Sequence, residues 1–348
     1  LQIHMTSPSP KKDPPTLKHV AMTAGVHPST VSRALDPARR HLIAPDRVRH
    51  IEETAFRLGY HRNIGAAALR TGRTRLIGVI LPDVANPVFG PILAGVEEAI
   101  AIGGYSAIVA NASGSGNRAM EAAQQLIARN VEGLVVATAE LADPLVTLCT
   151  RMQVPIVLVN RAETNQRVPS VISDDREGMR LAVAHLVQLG HSRIGHLAGP
   201  QNVSTGVWRR EGFVSAMQAF ALPAQAIQIA ASYSRGAGEE ATRELLASHR
   251  VTAIAAANDL LALGAFGTLA RLSMRCPDDV SIVGYNDMPL IDIVDPPLTS
   301  VRIASSDMGG LAGQRILAAI AGASLTEKLT LVQPSLVIRK STRRLLEP

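Results

Sequence analysis

The sequence predicts a small all-α helix-turn-helix module followed by a two-lobed α/β body of two doubly wound parallel sheets. Three observations predict it. Residues 16–35, TLKHVAMTAGVHPSTVSRAL, read as a helix, a tight turn and a second helix. From Leu76 onward, short apolar runs of strand type alternate with amphipathic segments of helical length. The charge also divides, with 13 Lys and Arg against 5 Asp and Glu in residues 1–75 and 22 against 24 in the rest.

Residues 1–15, LQIHMTSPSPKKDPP, are polar and Pro-rich with no hydrophobic leader region, so a disordered tail is expected. Thr16 is a plausible N-cap for a first helix starting at Leu17. Ala21 is small enough for two helices to cross closely. Gly25 suits the left-handed backbone of a short interhelical turn, and Val31 anchors the second helix. That helix begins at Pro28, a favoured first-turn residue, and Asp36-Pro37 ends it. A third helix is expected from Pro45 to Leu58, closed by Gly59, with Val48, Ile51, Ala55 and Leu58 on one face. These three helices make a domain over residues 16–61.

An ordinary αα-hairpin of a small core shares this pattern. The charge separates the two readings. The module carries a balance of +8 and the body one of −2, whereas a merely solubilising charge spreads over both. A basic module on a near-neutral body is the footprint of phosphate binding, and a helix-turn-helix places its second helix in the DNA major groove.

Residues 62–75 open with RNIGAAALRTG and form an Ala-rich linker. Beyond it, strand-type runs recur at LIGVIL (76–81), SAIVA (106–110), LVVAT (134–138), IVLV (156–159), IGHLA (194–198), AIAAA (253–257) and SIVGY (281–285). Helical segments at 87–103, 117–130, 175–190, 205–220, 235–248 and 259–273 separate them. This alternation implies parallel sheets covered on both faces. Residues 76–348 are too many for one sheet, so two lobes with a cleft are expected, with ligands at the carboxyl ends of the strands.

Composition excludes other classes. Aromatic residues are only 3%, so the core must be aliphatic. Cys149 and Cys276 are far apart with no His partners, which suits a reduced cytosolic protein rather than a disulfide framework or metal site. No run of 18 apolar residues offers a membrane span. There is no GxGxxG after the first strand, no P-loop, no nucleophile–base set and no ligand cluster, so no catalysis, cofactor or metal is expected. The adjacent pairs Glu52-Glu53, Asp174-Asp175 and Asp278-Asp279 read as helix starts or surface features.

The chain resembles the LacI/GalR family of bacterial transcription regulators from Thr16 to Lys340. The motifs are residues 16–35, LGYHRN (58–63), IGVILPDVANPVF (77–89), RNVEGLVV (129–136), DDREGMRLAVAHLVQLGHSRIGHLAGP (174–200), RREGF (209–213), ANDLLALGAF (257–266), PDDVSIVGYND (277–287) and PPLTSV (296–301). The resemblance implies a periplasmic-binding-protein-like effector domain over 76–348. Its first lobe would hold about 76–173 and 304–331, and its second about 174–303 and 332–348.

The resemblance also assigns contacts. Pro28, Ser29 and Arg33 occupy base-reading positions, and Arg33 is chemically the strongest reader because a guanidinium bonds guanine O6 and N7 together. Thr16, His27, Thr30 and Ser32 complete the DNA-facing set, the last two suited to phosphate oxygens. His19 and His27 depart from the family's usual Asp and Ser. Asn63 would cap a short hinge helix whose Leu69 wedges into the minor groove, and Gly65 and Arg62 replace the commoner Val and Pro. The effector positions are Asn86, Phe89, Asn160, Thr205, Arg209, Tyr233, Asn258 and Asn286. Asn160 and Asn286 stand where the family usually has Asp. With Arg209 kept, that tilts the cleft toward a neutral or acidic ligand such as a sugar or sugar acid.

The expected protein is therefore a cytoplasmic, nucleoid-associated repressor that binds a palindromic operator as a homodimer under control of a small polar effector. The closing residues, STRRLLEP, contain no heptad repeat, so no zipper-type tetramer is expected. A two-lobed solute-binding protein predicts a signal peptide and no basic helix-turn-helix. A Rossmann-type enzyme predicts a glycine fingerprint and a convergent acid–base set.

Overall fold

The computed structural model describes residues 15–36, 39–60, 72–113, 117–323 and 327–345. The expected tail up to residue 14 and the hinge residues Arg62, Asn63, Gly65 and Leu69 lie outside the described residues. The chain divides into two compact units between Thr74 and Arg75.

The first unit holds α1 (Leu17–Thr23), α2 (Pro28–Ala34) and α3 (Pro45–Leu58), with a short 3₁₀ turn at Arg40–Leu42. Val20, Ala21, Ala24, Val31, Ala34, Val48, Ile51 and Ala55 form its core. Gly25 takes φ +63° in the turn between α1 and α2, and Gly59 takes φ +68° past α3, a backbone that residues with a Cβ adopt only at a cost. The expected roles of Ala21, Gly25 and Val31 are those the structure shows.

The second unit holds two six-stranded sheets. The first has the order β11-β5-β4-β3-β1-β2 and is parallel throughout. Its strands are β1 (Leu76–Leu81), β2 (Ser106–Asn111), β3 (Gly133–Val136), β4 (Ile156–Val159), β5 (Ser170–Ser173) and β11 (Leu329–Val332). The second has the order β12-β10-β9-β8-β6-β7, parallel except for β12. Its strands are β6 (Ile194–Ala198), β7 (Ile227–Ile229), β8 (Ala253–Ala256), β9 (Ser281–Asn286), β10 (Thr299–Arg302) and β12 (Ser335–Val337). The chain passes between the sheets after β5, after β10 and between β11 and β12.

Each sheet is covered on both faces because its strands are apolar on both. In the first sheet Ile77, Val79, Val135 and Val157 join one core cluster, while Ile80, Leu134, Val136 and Leu158 join another. The helices are α4 (Phe89–Ile102), α5 (Arg118–Ala128), α6 (Pro144–Arg151), α7 (Asp175–Gln188), α8 (Ser204–Ala219), α9 (Arg235–Ser248), α10 (Asp259–Arg271) and α11 (Ser305–Ile320). α11 packs on α4 against the first sheet, and α7 packs on α8 against the second.

Candidate functional site

In the first unit, α1 opens with a reciprocal cap. The His19 backbone N–H donates to the Thr16 hydroxyl at 3.4 Å, and the Thr16 N–H donates to His19 Nδ1 at 3.3 Å. His19 thus supplies the acceptor that a carboxylate supplies in an ordinary capping box. His27 does the same for α2. Its Nδ1 accepts from the Ser29 N–H at 3.2 Å and lies 2.8 Å from the Ser29 hydroxyl. Both unusual histidines therefore satisfy backbone N–H groups at a helix start, His27 as the N-cap of α2 and His19 as the N3 partner of Thr16.

Ser29 and Arg33 lie on the exposed face of α2, opposite the buried Val31 and Ala34. Pro28, Thr30 and Ser32 are half-buried beside them. Among the described residues Arg33 makes no ion pair, so its guanidinium is available to a ligand.

In the second unit, Asn86, Phe89, Asn160, Thr205, Arg209, Tyr233, Asn258 and Asn286 all line one cleft of about 470 Å³. They sit at or just beyond the carboxyl ends of β1, β4, β6, β7, β8 and β9. Among the described residues three hydrogen bonds cross the lobes beside this cleft, one of them from the Leu141 N–H to the Asn202 carbonyl at 3.1 Å. Glu140 accepts from Asn202 Nδ2 at 3.1 Å, and the Ala162 N–H donates to the Ser204 hydroxyl at 3.0 Å.

Local folding sets several of these side chains. Asn160 and Asn286 end their strands at φ +65° and +107°, and Asn tolerates such backbones better than most residues. Asn258 caps α10 by accepting from the Leu261 N–H at 2.9 Å. Asn86 accepts from the Val88 N–H at 3.2 Å. Asn286 accepts from Arg209 Nη1 at 3.3 Å. All three carboxamides thus have their oxygen engaged and keep Nδ2 donors for a ligand. Tyr233 donates to the Thr205 hydroxyl at 3.2 Å, and burial raises its phenol above the ordinary value.

Two residues escaped the sequence reading. Asp175, taken there for a helix start or surface acid, begins α7 but is buried and pairs with Arg209 at 2.8 Å. The reason is steric: α8 packs on α7 and brings Arg209 against its first turn. Arg209 therefore brings no free positive charge to the cleft, contrary to expectation, because Asp175 neutralises its cation inside the protein. The second residue is Arg161, which lines the cleft directly after Asn160. Its signal was an arginine in the loop leaving a fully apolar strand at the carboxyl edge of the sheet.

Among the described residues no group of His, Cys, Asp or Glu is arranged to hold a metal, and no helix is long and apolar enough to cross a membrane.

Residues 183–342 match the family described as periplasmic binding protein-like domain. The HTH-type transcriptional regulator MalR of Streptomyces coelicolor is 32% identical over 335 residues, covering 94% of this chain and 96% of its own. The HTH-type transcriptional regulator GalR of Escherichia coli is 31% identical, covering 94% and 95%. Among solved structures, the lac repressor dimer bound to operator and the anti-inducer ONPF superposes with a TM-score of 0.82 at 28% identity, covering 95% of this chain and 100% of that one. The complex of the transcriptional regulator CelR with cellobiose gives a TM-score of 0.72 at 28% identity, covering 94% and 99%.

Proposed function

The chain belongs to the LacI/GalR family of transcription regulators, and from that premise we propose that it is a repressor whose first unit grips a palindromic operator as a homodimer while a small polar effector in the cleft sets the grip. It is a ligand-responsive DNA-binding regulator and not an enzyme. Regulators of this family act in the cytoplasm on DNA, and association with the nucleoid follows from operator binding. The observation that carries the reading is the pairing, on one chain, of an exposed Ser29–Arg33 face with a cleft lined by all eight expected effector residues.

Ser29 and Arg33 read base edges, Pro28 offers apolar contact, and Thr16, His27, Thr30 and Ser32 hold the phosphate backbone. The hinge contacts that the family resemblance implies for Asn63 and Leu69 lie outside the described residues. Effector binding favours one lobe arrangement over another. Because Glu140–Asn202 and Ala162–Ser204 already join the lobes, the ligand biases contacts that exist rather than creating an interface.

The test is an operator selected from random DNA with the full chain, followed by Arg33→Ala. The substitution should cost roughly 1–3 kcal/mol of operator binding and relax preference at one base pair. Unchanged discrimination between operator and random DNA refutes the role of Arg33. On the ligand side, an effector at 100 times its dissociation constant should add about 2.7 kcal/mol to stability.

A further inference from the structure

The two arginines of the cleft differ in what already holds them. Arg209 is committed: Nε donates to Asp175 at 2.8 Å, Nη1 donates to the Ala257 carbonyl at 2.6 Å, and the guanidinium stacks 3.8 Å from the Tyr285 ring centre. Arg161 is not. Its Nε is buried with no hydrogen-bond partner. Its Nη1 reaches only the Thr138 carbonyl, at 3.4 Å. Among the described residues it forms no ion pair. Burial works against its cation and lowers it on balance, Arg209 adds to that, and Tyr233 and Glu140 pull the other way.

Among the described residues neither carboxylate of the cleft forms an ion pair with it, although the charge of Glu140 favours its cation from a distance. Asp83 is exposed and accepts from the Ala85 N–H at 2.9 Å within its own loop, and Glu140 is exposed and engaged by Asn202. The neutral groups agree with the charged one. Asn86, Asn258 and Asn286 have oxygens already accepting, so they present amide donors. Amide donors beside a guanidinium that has no ion pair and a buried Nε without a partner are complementary to an acceptor-rich anion.

We propose that the effector is an anion, a hydroxyl-bearing body carrying a carboxylate or phosphate group that pairs with Arg161. This rests on the cleft being the effector site. It locates the ligand's charge at Arg161, a residue the sequence reading did not single out, and leaves Arg209 as the internal support of the site.

The experiment follows thermal midpoints of the full chain with glucose, gluconate, glucose 6-phosphate and glucosamine, and with the matching ribose and galactose series. Aldonates and sugar phosphates should stabilise the wild type at lower concentration than their neutral parents, and the two arms separate carboxylate from phosphate. Arg161→Met should weaken the best anion by about 10- to 100-fold, and Arg161→Lys, which keeps the charge, by less. Without ligand, Arg161→Met should unfold at or above the wild-type temperature, because a half-buried cation with no ion pair and a buried, unpartnered Nε is removed. A neutral sugar that binds as tightly as its acid and phosphate, or an anion response that survives Arg161→Met, overturns the proposal while leaving the cleft an effector site. A ligand-free midpoint several degrees lower also overturns it, since Arg161 would then be structural. If no compound shifts the wild type, the effector reading itself falls, and the ligand-free midpoints still decide the state of Arg161.

Discussion

Arg209 Nε lies 2.8 Å from Asp175 Oδ1, with the two side chains 3% and 1% exposed. Burial opposes the Arg209 cation, and the Asp175 carboxylate more than restores it, so the guanidinium titrates above its ordinary range. The pair joins α7 to α8 beneath the cleft floor. Asp175→Asn leaves a buried guanidinium without its counterion, which should cost about 3–5 kcal/mol. The double replacement Asp175→Leu with Arg209→Met should be far less costly than the sum of its parts. Urea unfolding of the three variants checks this, and strict additivity would mean that the ion pair does not couple the helices.

Asp259 presents the opposite case, a buried acid that forms no ion pair among the described residues. Oδ1 accepts from the Ser300 hydroxyl at 2.6 Å and Oδ2 from the Met288 N–H at 2.8 Å. Burial pushes its carboxyl up to about 7 from an ordinary 3.8. The folded state therefore keeps a proton that the unfolded chain gives up. As pH rises from about 4 to 7 stability falls, and above 7 the loss is complete. His196, which burial pushes down to about 4, works in the other direction, losing stability as pH falls below 6.5. Comparing Asp259→Asn with the wild type cancels His196. The asparagine variant should gain on the wild type between pH 5 and pH 8, and thermal midpoints that keep a constant difference across that range exclude a buried proton on Asp259.

The sequence made the three-helix unit legible because its signals are local: Pro28 and Pro45 open helices, Gly59 closes one, and Val48, Ile51 and Ala55 mark one face. The strands β1, β8 and β9 were legible as long apolar runs. β5, β7, β10, β11 and β12 were not: β7, β11 and β12 are short edge segments with half-exposed residues, and β5 and β10, though buried, are four residues long and mix Ser or Thr with their apolar residues. α11 was hidden by composition. Its Gly309, Gly310 and Gly313 weaken helical propensity, and Gly309 and Gly313 are there because α4 approaches too closely for larger side chains. Asp175 and Arg161 were hidden for a third reason. Whether a charge is answered depends on packing between helices or across lobes, which the local pattern does not carry.

That close approach makes neighbouring glycines behave oppositely. A Cβ on Gly309 would run into the Ile92 carbonyl oxygen and the Val96 backbone nitrogen, rigid atoms of α4. Gly309→Ala should therefore destabilise by about 1–3 kcal/mol. A Cβ on Gly310 would meet only the Gly95 carbonyl oxygen, at 4.0 Å. Gly310→Ala should be neutral or stabilising by up to about 1 kcal/mol through helix propensity. Denaturant midpoints of the two variants test the packing of α4 on α11, and equal effects would contradict it.

His27 and Ser29 carry the last prediction to the DNA-facing helix. His27 Nδ1 accepts from the Ser29 backbone N–H, so its lone pair is on that nitrogen, and the Ser29 hydroxyl at 2.8 Å must donate to it as well. With its proton turned inward, the Ser29 oxygen presents only lone pairs outward. It is then matched to an amine donor, cytosine N4 or adenine N6, rather than to a carbonyl acceptor. His27→Ala removes the cap and should cost about 0.5–2 kcal/mol of stability, while His27→Asn, a good cap, should cost less. His27→Ala also frees the Ser29 hydroxyl to donate, so binding-site selection should show a weakened preference for an amine-bearing base at one position, with the Arg33 position unchanged. A selected site identical to that of the wild type would mean that His27 caps the helix without orienting Ser29.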